Sequence, residues 1–142
     1  MKITGRMLAG YGESADVLAF EQEHPDGCEA TPEVLNGLTT KGVDVVLFCE
    51  EILNGMTQAE QEAVGAKYGA LKVEETEISN IYVLARTDLR KAWKDGTMDR
   101  KTYLEECGAV RAVFVAQLKA FRKKAELRSY EIMSEFLASL PE

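Results

Sequence analysis

The chain has 142 residues, 46% of them apolar and 29% charged, with a net charge of −7 and an isoelectric point near 4.9. That length can bury a core of ordinary size, and that composition belongs to a folded protein, not a disordered one. The acidic balance excludes general binding to nucleic-acid backbone, which needs clustered Lys and Arg. No apolar run approaches the roughly eighteen residues that span a bilayer.

The charge is unevenly spread. Residues 1–62 carry twelve acids against three bases (Lys2, Arg6, Lys41), a balance of −9, while residues 63–142 carry twelve acids against fourteen bases, a balance of +2. The opening MKITGRML has no continuous apolar stretch of the kind a secretory signal needs, so none is expected. Cys28, Cys49 and Cys107 are an odd number at unrelated spacings. They read as reduced, mostly buried thiols of a cytoplasmic protein.

In chain order, Ile3 to Leu8 suits a short helix capped by Thr4 and ended by Gly10 and Gly12. A second helix is predicted from Ser14, with Val17, Leu18 and Phe20 as its apolar face and Glu13 and Asp16 favouring its N-terminus. His24-Pro25-Asp26-Gly27 stops it. Thr31 before Pro32 and Glu33 is a clean start for a helix running to about Leu38. The run Val43 to Cys49 is β-branched enough for a buried strand. It continues through Ile52 and Leu53 to Asn54-Gly55, and no second convincing strand exists to pair with it, so helix is expected. Thr57 and Glu60 match a capping box and open a helix to about Lys67, with a break at Tyr68-Gly69-Ala70.

The last half is more regular. Residues 74–94 form a helix with Ile78, Ile81, Tyr82, Ala85, Leu89 and Trp93 on one side, its acids early and its bases late. After Asp95-Gly96, Asp99 caps a long helix to about residue 139, with Met98 and Tyr103 placed as a hydrophobic staple. Along it Tyr103, Cys107, Val110, Phe114, Leu118 and Phe121 recur at helical spacing. The short link makes an antiparallel hairpin the natural arrangement. The expected fold is therefore all-α: one domain over 1–142, with a long hairpin (74–94 and 99–139), shorter N-terminal helices, and a sub-unit boundary near 54–56. That boundary separates an acidic helical unit (1–53) from the hairpin part (57–142).

Ile3-Thr4 with Met7-Leu8, a helix ending at Phe20, Pro25-Asp26-Gly27, Thr31 and the apolar segment Val43 to Leu53 together resemble a short module at the N-termini of uncharacterised phage-encoded proteins. Tyr11-Gly12-Glu13 departs from it, since a Gly-Ala-Cys turn is common there. The turn Asp95-Gly96-Thr97-Met98-Asp99 before an amphipathic helix is likewise similar to hairpins in phage accessory proteins. The resemblance implies a viral origin and transfers no functional residue.

No residue pattern asks for catalysis, a cofactor or a metal. His24, the only histidine, sits in a turn without a hydroxyl or thiol at a fixed offset, and reads as an exposed turn residue. With Cys28 and Cys49 it would give three zinc ligands, but only His24 and Cys28 are closely spaced and no second pair exists. Glu50 and Glu51, adjacent on a helix, cannot converge on one point. Gly5, Gly10 and Gly12 do not make a phosphate loop. The basic run Lys119, Arg122, Lys123, Lys124 and Arg128 reads either as a solvated face or as a patch for an acidic partner.

Two surfaces are left for binding a protein partner. The acids Glu13, Asp16, Glu21 and Glu23 either solubilise the chain or occupy a basic groove meant for nucleic acid. Beyond Ala125 the last helix is apolar on more than one side, and Tyr130, Met133, Phe136 and Leu137 suit a partner or a second copy. The function expected is that of a phage-derived, non-enzymatic interaction protein of the host cytoplasm, anti-CRISPR-like, that binds a host defence protein and blocks nucleic acid or a subunit. No direct nucleic-acid or membrane binding is expected. A structural module that forms a homodimer through its C-terminal helix is the alternative, and an enzyme with an unrecognised carboxylate site a weaker third.

Overall fold

The computed structural model describes residues 1–141, and helices dominate it. In chain order the elements are β1 (Lys2–Ile3), α1 (Ser14–Glu23), β2 (Cys28–Glu29), α2 (Pro32–Thr40), α3 (Val45–Asn54), α4 (Gln58–Lys94) and α5 (Arg100–Ala138). The all-α expectation holds, with a two-residue antiparallel ribbon pairing Lys2 with Glu29 and Ile3 with Cys28.

Helix starts follow the side chains able to cap them. The Thr31 hydroxyl accepts from the Val34 N–H at 3.2 Å, and the Asp44 carboxylate accepts from the Leu47 N–H at 3.0 Å. Thr57 accepts from the Glu60 N–H at 3.3 Å, and Asp99 from the Thr102 N–H at 2.7 Å. Each satisfies one N–H that the first helical turn leaves without a partner. These contacts to Thr102 also hold the Asp99 carboxyl below its usual range. The segment Val43–Leu53 is helical from Val45 on, which resolves the strand-or-helix ambiguity in favour of helix.

Three expectations on elements are corrected. Ile3–Leu8 is not a helix: Ile3 lies in β1, and Thr4 instead closes a tight turn, its hydroxyl accepting from the Met7 N–H at 3.2 Å. α4 does not break at Tyr68-Gly69-Ala70 but runs unbroken for 37 residues. A single helical Gly costs only about 1 kcal/mol relative to Ala, and no Pro stands in the segment to remove a hydrogen bond. The boundary is not near 54–56 either. Two compact units are formed: Met1–Lys67 with Glu126–Glu142, and Tyr68–Ala125, so the division falls within α4 and α5.

The first unit owns the core. Ile3, Leu8, Leu35 and Leu137 are fully shielded from solvent, and Phe20, Phe48, Tyr130, Met133 and Phe136 nearly so. Burying each such side chain contributes about 1.5–3 kcal/mol. The chain start is tied to the end of α5: the Met1 amino group donates to the carbonyls of Leu137 (3.1 Å) and Leu140 (3.2 Å). A cation there meets the negative end of the helix dipole. Close backbone approach is set by Gly5, where an added Cβ would stand 2.5 Å from the Glu21 Cβ, and by Gly12, which lies against Val43.

The second unit is an antiparallel hairpin of the remaining parts of α4 and α5, turned at Gly96 (φ +76°). Tyr82 stacks on Phe114 with 4.2 Å between ring centroids, and Trp93 on Tyr103 with 4.7 Å. Lys124 pairs with Glu74 at 2.9 Å. Leu71, Glu74, Ile78, Ser79, Tyr82, Ala85, Leu89 and Ala92 are the half-buried positions of α4 in this unit, and Tyr103, Cys107, Val110, Phe114 and Leu118 those of α5 in the series that ends at the buried Phe121. Phe121 is the one residue of this unit buried outright. Ile81 and Trp93, expected on the packed side, are 62% and 43% exposed. Ile81 is turned off the packed stripe, whereas Trp93 keeps one ring face on Tyr103 and leaves the rest to solvent.

Candidate functional site

The structural units sharpen the charge asymmetry. The first holds sixteen acids against five bases (Lys2, Arg6, Lys41, Lys67, Arg128), −11, and the second eight acids against twelve bases, +4. In α1 and its approach, Glu13, Glu21 and Glu23 are exposed and Asp16 is half-buried beside Val17. α1 is seated by Val17 and Phe20, which enter the core. Leu18, expected with them, instead lies 53% exposed. At about 100° per residue, a helix that turns Val17 and Phe20 into the core carries Leu18 off that face.

A shallow concavity of about 300 Å³ lies on this surface, lined by Ala9, Gly10, Gly12, Val17, Leu18 and Glu21, with Ser14 beside them. Its floor is apolar and its edge carries carboxylate. Tyr11, next to it, donates its hydroxyl hydrogen to the Glu51 carboxylate, a bond that raises the phenol above its ordinary value. Of its glycines, Gly10 adopts φ +90°, a conformation that favours glycine, and Gly12 lies against Val43.

The second predicted surface is corrected. Tyr130, Met133, Phe136 and Leu137 are 6%, 4%, 7% and 0% exposed. They are core of the first unit and are not available to a partner. The apolar excess seen beyond Ala125 is consumed by residues more than a hundred positions earlier in the chain, Ile3 and Leu8 among them. Leu127, at 56%, is the member of that stretch left outside.

Other groups weighed in the sequence are placed apart. His24 caps the end of α1 and leans on the Phe20 ring, 4.9 Å between centroids, half-buried where full exposure was expected. All three cysteines are free thiols. Burial, with the neighbouring Glu50, pushes the Cys49 thiol up to about 12, so it stays protonated. No group of three or more His, Cys, Asp or Glu among the described residues is placed to hold a metal ion. Of the basic run, Lys124 engages Glu74, while Arg128 engages Glu131 (2.9 Å) and Glu135 (3.4 Å). A second concavity, about 340 Å³, is bordered by the Lys67–Glu135 ion pair (2.9 Å). Lys67 and Arg128 together hold the Glu135 carboxyl below its usual range, Lys67 most. No helix among the described residues is long and apolar enough to cross a membrane.

The chain matches no family model, no curated protein and no solved structure.

Proposed function

We propose that the protein is a phage-encoded, non-enzymatic inhibitor of the anti-CRISPR kind. Its α1 surface seats on a basic groove of a host nucleic-acid-guided defence protein in the host cytoplasm. The observation that supports this reading most is the carboxylate-edged apolar concavity at α1, set in a unit of charge −11. Carboxylates at Glu13, Asp16, Glu21 and Glu23 would compete with phosphate for the partner's Lys and Arg. Leu18 gives an apolar anchor that phosphate lacks, and so a reason for affinity that survives partial screening.

The test is inhibition of target binding by a panel of such defence complexes. The intact protein blocks one of them. The variant with Glu13→Gln, Asp16→Asn, Glu21→Gln and Glu23→Gln together loses at least tenfold in potency. Leu18→Ser weakens binding without changing its salt dependence. Raising salt from 0.1 M to 1 M shortens the screening length from about 10 Å to about 3 Å and weakens the intact protein far more than the neutralised one. Equal potency of intact and neutralised proteins would remove the acidic surface from the mechanism.

A further inference from the structure

Both flanks of the hairpin unit are partly apolar, and charge is what tells them apart. The packed stripe, Leu71 to Ala92 on α4 and Tyr103 to Phe121 on α5, divides them. Positions just after the packed residues of both helices share one flank. Turning the second helix end over end to face the first leaves its winding sense on that side unchanged. Val83, Leu104 and Val115 stand exposed there, as Ile81, Leu84 and Val113 do on the other side. The charges divide differently. Lys72, Arg86, Arg90, Arg111, Lys119 and Arg122 each follow a packed residue, and Glu75 is the one acid to do so, a balance of +5. Positions just before the packed residues carry Glu77, Asp88 and Glu106 against Lys91, a balance of −2.

The six bases of the first flank are exposed, and none joins an ion pair among the described residues. Counting from the Tyr82–Phe114 stack sets Arg86 level with Arg111 across the hairpin. Two guanidinium groups on one rung, with no acid on that stretch of the flank, repel each other. An anion placed against both removes that repulsion. The Arg86 guanidinium is also held over the Tyr82 ring, 5.6 Å from its centroid. Trp93 follows the packed Ala92, so it closes the same flank at the Gly96 end. One face of its ring lies on Tyr103, and the residue is 43% exposed. The basic row thus ends at a flat aromatic platform that is already braced from below.

We infer that this flank binds single-stranded nucleic acid, with phosphates along the Arg and Lys row and a base stacked on Trp93. The planar guanidinium fork matches phosphate oxygens. A free aromatic face accepts any base, provided the base is not already stacked inside a duplex. An acidic protein surface would engage the bases of the row and leave the ring unused. From Lys72 to Trp93 the row is about 32 Å long at 1.5 Å per residue. That accommodates on the order of nine phosphates at the ~3.4 Å step of a stacked strand. It falls within the ~4–16 nucleotides that single-strand-binding modules cover. The acidity that argues against affinity over the whole surface belongs to the first unit, −11 against +4 in this one. The proposal goes beyond the α1 surface and does not depend on it.

Fluorescence anisotropy of labelled oligo-dT and oligo-U of about 16 nucleotides, titrated with the full chain, is the test. Circular dichroism confirms helix content in every variant. At about 50 mM salt the unaltered protein binds at micromolar concentration, and log affinity falls with log salt at a slope of roughly −3 to −4. Arg86→Gln with Arg111→Gln weakens binding at least ~10-fold and makes that slope shallower by about 1.4. Trp93→Ala weakens binding about tenfold and leaves the slope unchanged. Lys91→Gln with Lys123→Gln removes the same charge off this flank and leaves affinity within about twofold. No binding of either strand at about 200 µM protein overturns the proposal, as does equal weakening by the Lys91 and Lys123 pair. Binding unchanged by Trp93→Ala, or equally tight binding of poly-glutamate, identifies a general acidic partner and overturns the nucleic-acid assignment. Tighter binding of a duplex of the same length overturns the single strand.

Discussion

The two units of this chain are built from the same two long helices by different means. In the first, α5 supplies Tyr130, Met133, Phe136 and Leu137 to a core shared with the β ribbon, α1, α2 and α3, and these side chains vanish from the surface. In the second, α5 meets α4 alone, along one stripe, and Phe121 is its single buried side chain. Helix propensity is similar in both; the number of neighbours is not. A helix alone in water is marginal, and its stability comes from the faces it can cover. The first unit is therefore the thermodynamic anchor, and the second is the part whose stability depends on what else covers it.

Substitutions of one residue type can break or sharpen that comparison. Leu137→Ala in the core should cost about 3–5 kcal/mol in chemical denaturation, because no solvent reaches the site and the cavity cannot collapse freely. Gly5→Ala should cost about 1–3 kcal/mol, since its Cβ would meet both side-chain and backbone atoms of Glu21. Leu89→Ala in the half-buried stripe should cost about 1 kcal/mol. Leu84→Ala, at a position 64% exposed, should change stability by less than about 0.5 kcal/mol. A Leu89→Ala effect as large as that of Leu137→Ala would erase the distinction between the units.

A smaller effect concerns pH. Glu135 has its carboxyl held down from its ordinary value of 4.5 by Lys67 and Arg128. A carboxyl depressed in the folded state stabilises it above the ordinary value, and that contribution is lost as pH falls through the folded value. Glu135→Gln should therefore have a lower urea midpoint than the unaltered protein at pH 7, and the gap should close toward pH 3. All the ion-pair groups involved are solvent-exposed, which keeps the difference small. Smallest of all in its bearing on stability, Cys49 should resist alkylation at pH 8 in the folded protein, because its thiol is buried and protonated.

Local chemistry made much of the fold legible. Thr31, Thr57 and Asp99 each announced a helix start by their type and spacing, and each caps the helix expected. The stripe from Tyr103 to Phe121 named its packed face, since one helix against one other leaves a single face to satisfy. What stayed illegible depends on contacts distant in sequence. Nothing local says that Leu137 meets the amino end of the chain, so its apolar surroundings looked like surplus surface. Nor does Tyr68-Gly69-Ala70 show that α4 continues, because the helix is carried across that segment by residues on both sides. At α1 the acids were readable and the concavity was not. It forms between the Ala9–Gly12 segment and α1, and depends on Val17 and Phe20 taking the core and leaving Leu18 outside.

Peptide-resolved hydrogen exchange on dilute protein tests the contrast between the units most directly, because the same two helices pass through both. Amides of Ile132–Leu137 should exchange slowest, near the global unfolding limit. Amides of Ile78–Leu89 should exchange orders of magnitude faster. Equal protection along the whole of α5 in dilute protein would contradict the division into a cored unit and a thinly covered hairpin.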